Sequence, residues 1–223
     1  MNFNRPLILA SSSPRRQYLM REAGFKFRVQ VPDIDESFPP EMLITEVPKY
    51  LAEKKAKVFE SQLNDEIVIS SDTIVILNNE ILNKPLHRQE AVEMLSRLSG
   101  HTHTVITAVC LLSKEKIDCF DDHTKVTFKI LTPEEISFYV DNYKPYDKAG
   151  AYGAQDCLPA GVNPCSNSEI QFLKQIGKLE LIEKTFTATQ AGTGMVAIEK
   201  INGSYFTVMG MPMHLVYTHL KMF

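Results

Sequence analysis

Leu7-Ile8-Leu9-Ala10-Ser11-Ser12-Ser13-Pro14-Arg15-Arg16 decides how the chain is read. Leu7 to Ala10 is a short apolar run that reads as a buried strand. Pro14 has a fixed φ and no N–H, which suits the first turn of a helix. Ser13 stands where an N-cap belongs, and the helical pattern runs through Tyr18, Leu19 and Ala23 to a C-cap at Gly24. Strand, tight turn and helix therefore follow one another, with hydroxyls and two arginines at the helix start. A helix N-terminus offers unpaired N–H groups and the positive end of the macrodipole, which favours an anion. Arg15 and Arg16 add permanent charge and forked donors matched to phosphate oxygens. A capped helix with two solvated arginines is the plainer account of the same residues.

The 223 residues suffice for one large domain with an ample core. A net charge of −3 argues against a general nucleic-acid binder, which usually carries a basic face, but a few local cations still allow a small anionic ligand. Cys110, Cys119, Cys157 and Cys165 show no CxxC spacing, so neither zinc nor a disulfide framework is expected. Thiols in a reducing compartment are the default. No signal-peptide core and no run of membrane-spanning length stand out, which makes a cytoplasmic location the simplest expectation.

Outward from the opening stretch, Lys26 to Val31 reads as a second strand. Asp33-Ile34-Asp35-Glu36-Ser37 is an acidic loop: solvated surface, or a carboxylate source for Mg²⁺. A helix capped by Thr45 runs to about Glu60, and its apolar line of Val47, Leu51, Val58 and Phe59 places Lys55 on or beside the buried stripe. Lys55 either snorkels or points into a cleft. Ile67-Val68-Ile69 and Ile74 to Leu77 are buried β runs with Ser70-Ser71-Asp72-Thr73 between them. A carboxylate there is costly unless paired or liganded, and Asp72 is expected at the carboxyl end of a strand, where ligands gather in open α/β sheets. Lys84 follows on the return side of a hairpin.

Residues 88–98 form an amphipathic helix ending at Ser99-Gly100. His101–Leu112 and Thr124–Leu131 read as an antiparallel pair, the second with Val126, Phe128 and Ile130 on one face. His101 and His103 are read as structural, not metal-binding. Thr132-Pro133-Glu134-Glu135 opens a helix with a capping box. Asp147 to Gln155 is either a loop whose backbone approaches a ligand closely or a surface turn. Residues 156–193 lack period apart from a short helix near 168–177. Val196–Ile201 and Tyr205–Met209 read as a hairpin, and a last helix covers about 213–220.

The motifs Ser11-x-Ser13-Pro14-Arg15-Arg16, Ile34-Asp35-Glu36, Leu51-Ala52-x-x-Lys55-Ala56, Ser71-Asp72-Thr73-Ile74-Val75, Asn83-Lys84-Pro85, Leu98-Ser99-Gly100-x-x-His103-x-Val105-x-Thr107, Asp147-Lys148-Ala149-Gly150-Ala151-Tyr152-Gly153-x-Gln155 and Gly203-Ser204-Tyr205 occur in that order. Together they resemble the Maf family of nucleoside triphosphate pyrophosphatases, over about residues 6–155 and 195–220. The resemblance implies an elongated α/β fold like that of inosine triphosphate pyrophosphatases, with a mixed, twisted sheet, flanking helices and a central cleft between two lobes. It also implies a single domain over 1–223, with an atypical insertion at about 156–193.

The implied reaction is hydrolysis of a nucleoside triphosphate to monophosphate and pyrophosphate, with Mg²⁺ or Mn²⁺ as cofactor. Asp72 matches the catalytic aspartate, with Glu36 and Asp72 as metal ligands. Ser11, Arg15, Arg16, Lys55 and Lys84 match phosphate-handling positions. Thr73 and Gln155, together with the arginine pair Arg15 and Arg16, resemble the branch acting on dTTP and UTP. A nucleotide-binding regulator of septum formation without turnover, and a pyrophosphatase for non-standard purine triphosphates, are the alternatives. A homodimer is consistent with the resemblance; neither nucleic acid nor a membrane is an expected partner. Lys144 departs from the family pattern, where Glu is common, and is expected to reverse a charge near the cleft rim.

Overall fold

Leu7 and Leu9 bury into one apolar cluster and Ile8 and Ala10 into another, so the first strand is covered on both faces, as its unbroken apolar run requires. The computed structural model describes residues 3–159, 161–181 and 195–223. β1 (Leu7–Ala10) pairs in parallel with β2 (Phe27–Val29) on one side and β3 (Ile67–Leu77) on the other. β3 continues antiparallel into β5 (Thr102–Leu112), which pairs with β6 (Ile117–Phe128), and β6 with β7 (Ile198–Asn202). The short β4 (Glu80–Leu82) pairs with the end of β3. The result is one mixed seven-stranded sheet with flanking helices.

The sheet is open along one edge of β3. The last β1–β3 pair is Ala10 with Ser70, and β4 joins β3 only at Val75. Val75 and Ile76 also pair with β5, so β4 lies on the β1 side. Ser71 to Ile74 are thus flanked by β5 on one edge and by no strand on the other. Asp72 therefore does not sit at the end of a strand, as expected, but in the middle of an eleven-residue one. It is the carboxyl end of β1 that opens the space beside it.

α2 (Val47–Lys57) covers one face, its Leu51, Ala52 and Ala56 packing over Val68, Ile74, Ile106 and Ala108. The other face carries α1 (Pro14–Glu22), α3 (Arg88–Leu98), α4 (Pro133–Tyr143), α5 (Ala154–Cys157), α6 (Asn167–Gln175), α7 (Tyr205–Val208) and α8 (Met213–Leu220). α4 has the expected capping box and proline at its first position. No helix among the described residues is long and apolar enough to cross a membrane.

Several expectations are corrected. Thr45 lies in a 3₁₀ turn ahead of α2 and caps nothing, and Val58 and Phe59 fall beyond the helix. β6 ends at Phe128, so Ile130 is 83% exposed and not on the buried face. Tyr205–Met209 is not the second arm of a hairpin. Ser204 accepts from the Thr207 N–H and starts a helix there, while β7 takes β6 as its partner. Lys144 ends α4 in the left-handed conformation, exposed and outside the cleft lining, where a cation suits the helix C-terminus. Cys110 and Cys119 are disulfide-bonded, being directly opposed on β5 and β6; chain spacing is blind to a pairing made across strands. Most of the Thr-, Ala- and Gly-rich tract after residue 177 lies outside the described residues.

The turn between β7 and α7 tests this architecture. Gly203 has φ +137°, and an added Cβ would lie 2.5 Å from Thr124 Oγ1 and 2.9 Å from its Cα. Thr124 Oγ1 itself accepts the Ser204 N–H at 2.8 Å. Gly203→Ala is expected to cost roughly 1–3 kcal/mol in urea unfolding; unchanged stability would reject the close approach.

Candidate functional site

The open edge of β3 is the floor of a cleft of about 250 Å³. Ser11, Arg15, Arg16, Glu36, Lys55, Asp72, Thr73, Lys84 and Gln155 all line it, so residues spread over 145 positions of sequence meet in one place. Asp72 and Thr73 are successive strand residues pointing to opposite faces. Both reach the cleft because the missing strand exposes β3 from its edge.

Arg16 fills that gap. Its Nη1 donates to the Ser71 carbonyl at 2.6 Å and its Nη2 to Thr73 Oγ1 at 3.0 Å. Its Nε donates to the Gly210 carbonyl at 2.9 Å, and Nη1 also approaches Ser11 Oγ at 3.4 Å. The guanidinium thus takes one backbone carbonyl of the gap, that of Ser71, and one side-chain hydroxyl, that of Thr73. Of its five N–H groups only one stays uncommitted, so Arg16 is first a structural bolt. Burial lowers its pKa, opposed by the Asp72 carboxylate. Arg15, by contrast, pairs among the described residues with Asp147, at 3.1 Å.

On the α2 face, Lys55 is 8% exposed and holds two carboxylates, Asp72 Oδ1 at 2.5 Å and Glu36 Oε1 at 2.8 Å. The cleft reading of Lys55 therefore applies and the snorkelling one does not. Burial pushes the Asp72 carboxyl above the usual aspartate range, against the pull of Lys55 and Arg16. Burial also raises Glu36, but its hydrogen bond to Lys55 and the charges of Lys55, Lys84 and Arg16 outweigh this and hold it below the usual range. Two carboxylates gathered on one cation are the hard oxygen donors that Mg²⁺ accepts when phosphates and water complete its shell. Among the described residues no group of three or more such ligands occurs.

The other wall is the segment after α4. Asp147 binds both Arg15 and Lys148, the latter at 2.7 Å. Gly150, at φ +68°, donates to the Asn83 carbonyl, tying this wall to the loop that carries Lys84. Gln155 Nε2 donates to Asp156 Oδ2 at 3.3 Å, while its Oε1 is buried without a partner among the described residues. His103 bonds Tyr152, another lining residue, at 2.7 Å; burial lowers its pKa to about 3, so the imidazole is neutral. Ser13 is the N-cap of α1 by position, but its side chain makes no cap bond, and its N–H is held by Ser11 Oγ at 3.2 Å.

Sequence reasoning missed Lys148 and Gly210. Lys148 stands in the Asp147-Lys148-Ala149-Gly150 motif and is a third cation near the rim. Gly210 lay in no motif, and its carbonyl accepts from Ser71 Oγ at 3.1 Å as well as from Arg16.

Comparison with known proteins follows the same lines. A family model described as Maf-like protein matches residues 6–169. A dTTP/UTP pyrophosphatase of Bacteroides fragilis is 39% identical over 217 residues, covering 96% of this chain and 94% of its own. One of Flavobacterium johnsoniae is 38% identical over 215 residues, covering 96% and 93%. A solved HAM1 protein from Coxiella burnetii superposes with a TM-score of 0.42 at 15% identity, over 82% of this chain and 98% of the other.

A carboxyl whose pKa rises on folding prefers to be protonated in the fold, so above that folded value its charge opposes folding. Asp72→Asn is accordingly expected to raise Tm at pH 7. The gain should vanish as pH falls below the unfolded value, about 3.9. A lower Tm at neutral pH would show that Lys55 and Arg16 overcome the burial.

Proposed function

The chain belongs to the family of Maf-like proteins, and we propose that it hydrolyses dTTP and UTP to the monophosphate and pyrophosphate. The observation that carries this reading is the convergence of five cations, Arg15, Arg16, Lys55, Lys84 and Lys148, and three carboxylates, Glu36, Asp72 and Asp147, on one cleft. Phosphoryl transfer asks chiefly for positioning and charge neutralisation. Arg15, Lys55 and Lys84, with the uncapped start of α1 and Ser11, supply donors for a triphosphate, and Arg16 adds charge from behind. Lys148 is added to the expected set.

Asp72 is the general base in this proposal. Burial raises its carboxyl above the usual aspartate range, which makes the ionised form a better acceptor for the proton of the attacking water. Glu36 and Asp72 would hold a divalent cation, which when bound polarises the phosphoryl oxygens. Lys55 then keeps both carboxylates oriented. No nucleophilic side chain is needed, and the serines act as donors.

Gln155 supports the choice of base. Uracil and thymine present a ring N–H between two carbonyls, a pattern that one amide meets with an acceptor and a donor. The buried, unpartnered Oε1 suits the N–H, and Nε2 suits a carbonyl once it leaves Asp156. Thr73, bonded to Arg16 and Thr107, shapes the adjoining wall. The setting this reading calls for is the cytoplasmic nucleotide pool, with a homodimer as the accompanying assembly.

Pyrophosphate release from dTTP, UTP, CTP, ITP and GTP, with Mg²⁺ and with a chelator, is the direct test. Turnover should favour dTTP and UTP and stop on chelation. Asp72→Asn should lower kcat by about 10²–10⁴, and wild-type turnover in that variant would remove Asp72 from the chemistry. Gln155→Glu should weaken dTTP and UTP selectively; equal rates across the panel would reject its role. Tight nucleotide binding without pyrophosphate release would place the chain with the non-hydrolysing regulators instead.

A further inference from the structure

Glu169 lies after Gln155, at the last residue that the Maf-like family model matches, and in none of the motifs that carry the resemblance. Its residue is 0% exposed, yet no ion pair to it is seen among the described residues. Its carboxylate accepts four hydrogen bonds. Oε1 takes the Ser204 hydroxyl at 2.7 Å and the Phe206 N–H at 2.6 Å. Oε2 takes the Ser166 N–H at 2.7 Å and the Tyr205 N–H at 3.1 Å. One side chain thus closes the capping box of α6 and satisfies the first turn of α7. Hydrogen bonds to a charged acceptor are among the stronger ones, about 1.5–3 kcal/mol each, and a carboxylate at a helix start also meets the favourable end of its dipole.

What α7 delivers is the Gly210 carbonyl. The helix has four residues and closes through Gly210 N–H to Thr207 O at 3.0 Å and Met211 N–H to Phe206 O at 2.9 Å. Gly210 follows in a left-handed conformation, φ +95°, and an added Cβ there would lie 3.2 Å from Thr73 Oγ1. Its carbonyl then receives Arg16 Nε and Ser71 Oγ. Thr207 is fixed in turn, its hydroxyl donating to Asp122 at 2.5 Å and its carbonyl accepting Thr107 at 2.7 Å. With so short a helix, both ends move together.

We propose that Glu169 is a positioning residue for the cleft: by clamping the first turn of α7 it sets the Gly210 carbonyl against Arg16, and so makes the 161–181 segment part of the working site. This rests on the pyrophosphatase reading only for its catalytic readout. None of the four hydrogen bonds to Glu169 comes from a lining residue of the cleft, which it reaches through α7.

A double-mutant cycle tests it, using Glu169→Gln, Arg16→Lys and the pair. Glu169→Gln should lower kcat/KM for dTTP by roughly 10–100-fold, the size of a small misplacement. It should add little once Arg16 is already Lys, since coupled residues are not additive. Thr132→Ala, which removes the cap of the remote α4, serves as the stability control and should lower Tm while leaving kcat/KM as it is. Ser204→Ala, losing one of the four donors, replaces Glu169→Gln if that variant does not fold. Additive losses with Arg16→Lys, or a Tm loss with wild-type kcat/KM, would overturn the proposal. If the wild-type chain cleaves no nucleoside triphosphate, the earlier reading fails. The cycle is then read on the Kd of inorganic triphosphate by calorimetry, where coupling supports the role of Glu169 and additivity rejects it.

Discussion

Among the described residues no strand pairs with Ser71 to Ile74 on one side of β3, and the geometry of the cleft depends on how that gap is filled. Unpaired backbone groups inside a sheet are costly unless something replaces the ladder. Here a guanidinium from the first helix takes the Ser71 carbonyl, and the carbonyl of Gly210 holds that guanidinium and the Ser71 hydroxyl in turn. A sheet interrupted this way presents both faces of one strand to a single space. That is how Asp72 and Thr73, which alternation should separate, come to line the same cleft.

The gap also sets the electrostatics. A buried carboxylate and a buried ammonium lie in direct contact, with a half-buried guanidinium as their charged neighbour. Lys55 divides its attention between Asp72 and Glu36, so the two acids have opposite fates. The buried one is pushed up by desolvation; the half-exposed one is pulled down by its neighbours. Environments that separate the behaviour of paired acids are what distinguishes a proton acceptor from a permanent anion.

Much of this was legible in the chain, for reasons that can be located. The strand–turn–helix of residues 7–22 follows from an apolar run and a proline at a helix start. α3 and the capped start of α4 follow from amphipathic period and local capping chemistry. Lys55 was legible as a cleft candidate because it broke the apolar stripe of α2, and Asp72 because a charge stood between buried runs. What stayed hidden was non-local. The mid-strand placement of Asp72 depends on where a different strand stops. The Cys110–Cys119 bond depends on register, and the helix at Tyr205–Val208 depends on a carboxylate 36 positions away from Tyr205. β-rich composition there suggested a hairpin, and tertiary capping overruled it.

The bond from Arg16 to Gly210 spans 194 positions. On a ribosome adding about 5–20 residues per second, the arginine emerges roughly 10–40 seconds before its carbonyl exists. The other partners of Arg16, namely Ser11, Ser71 and Thr73, all lie in the N-terminal half and precede Gly210 by more than a hundred residues. Of the groups that hold the guanidinium, the Gly210 carbonyl is therefore the last to be synthesised.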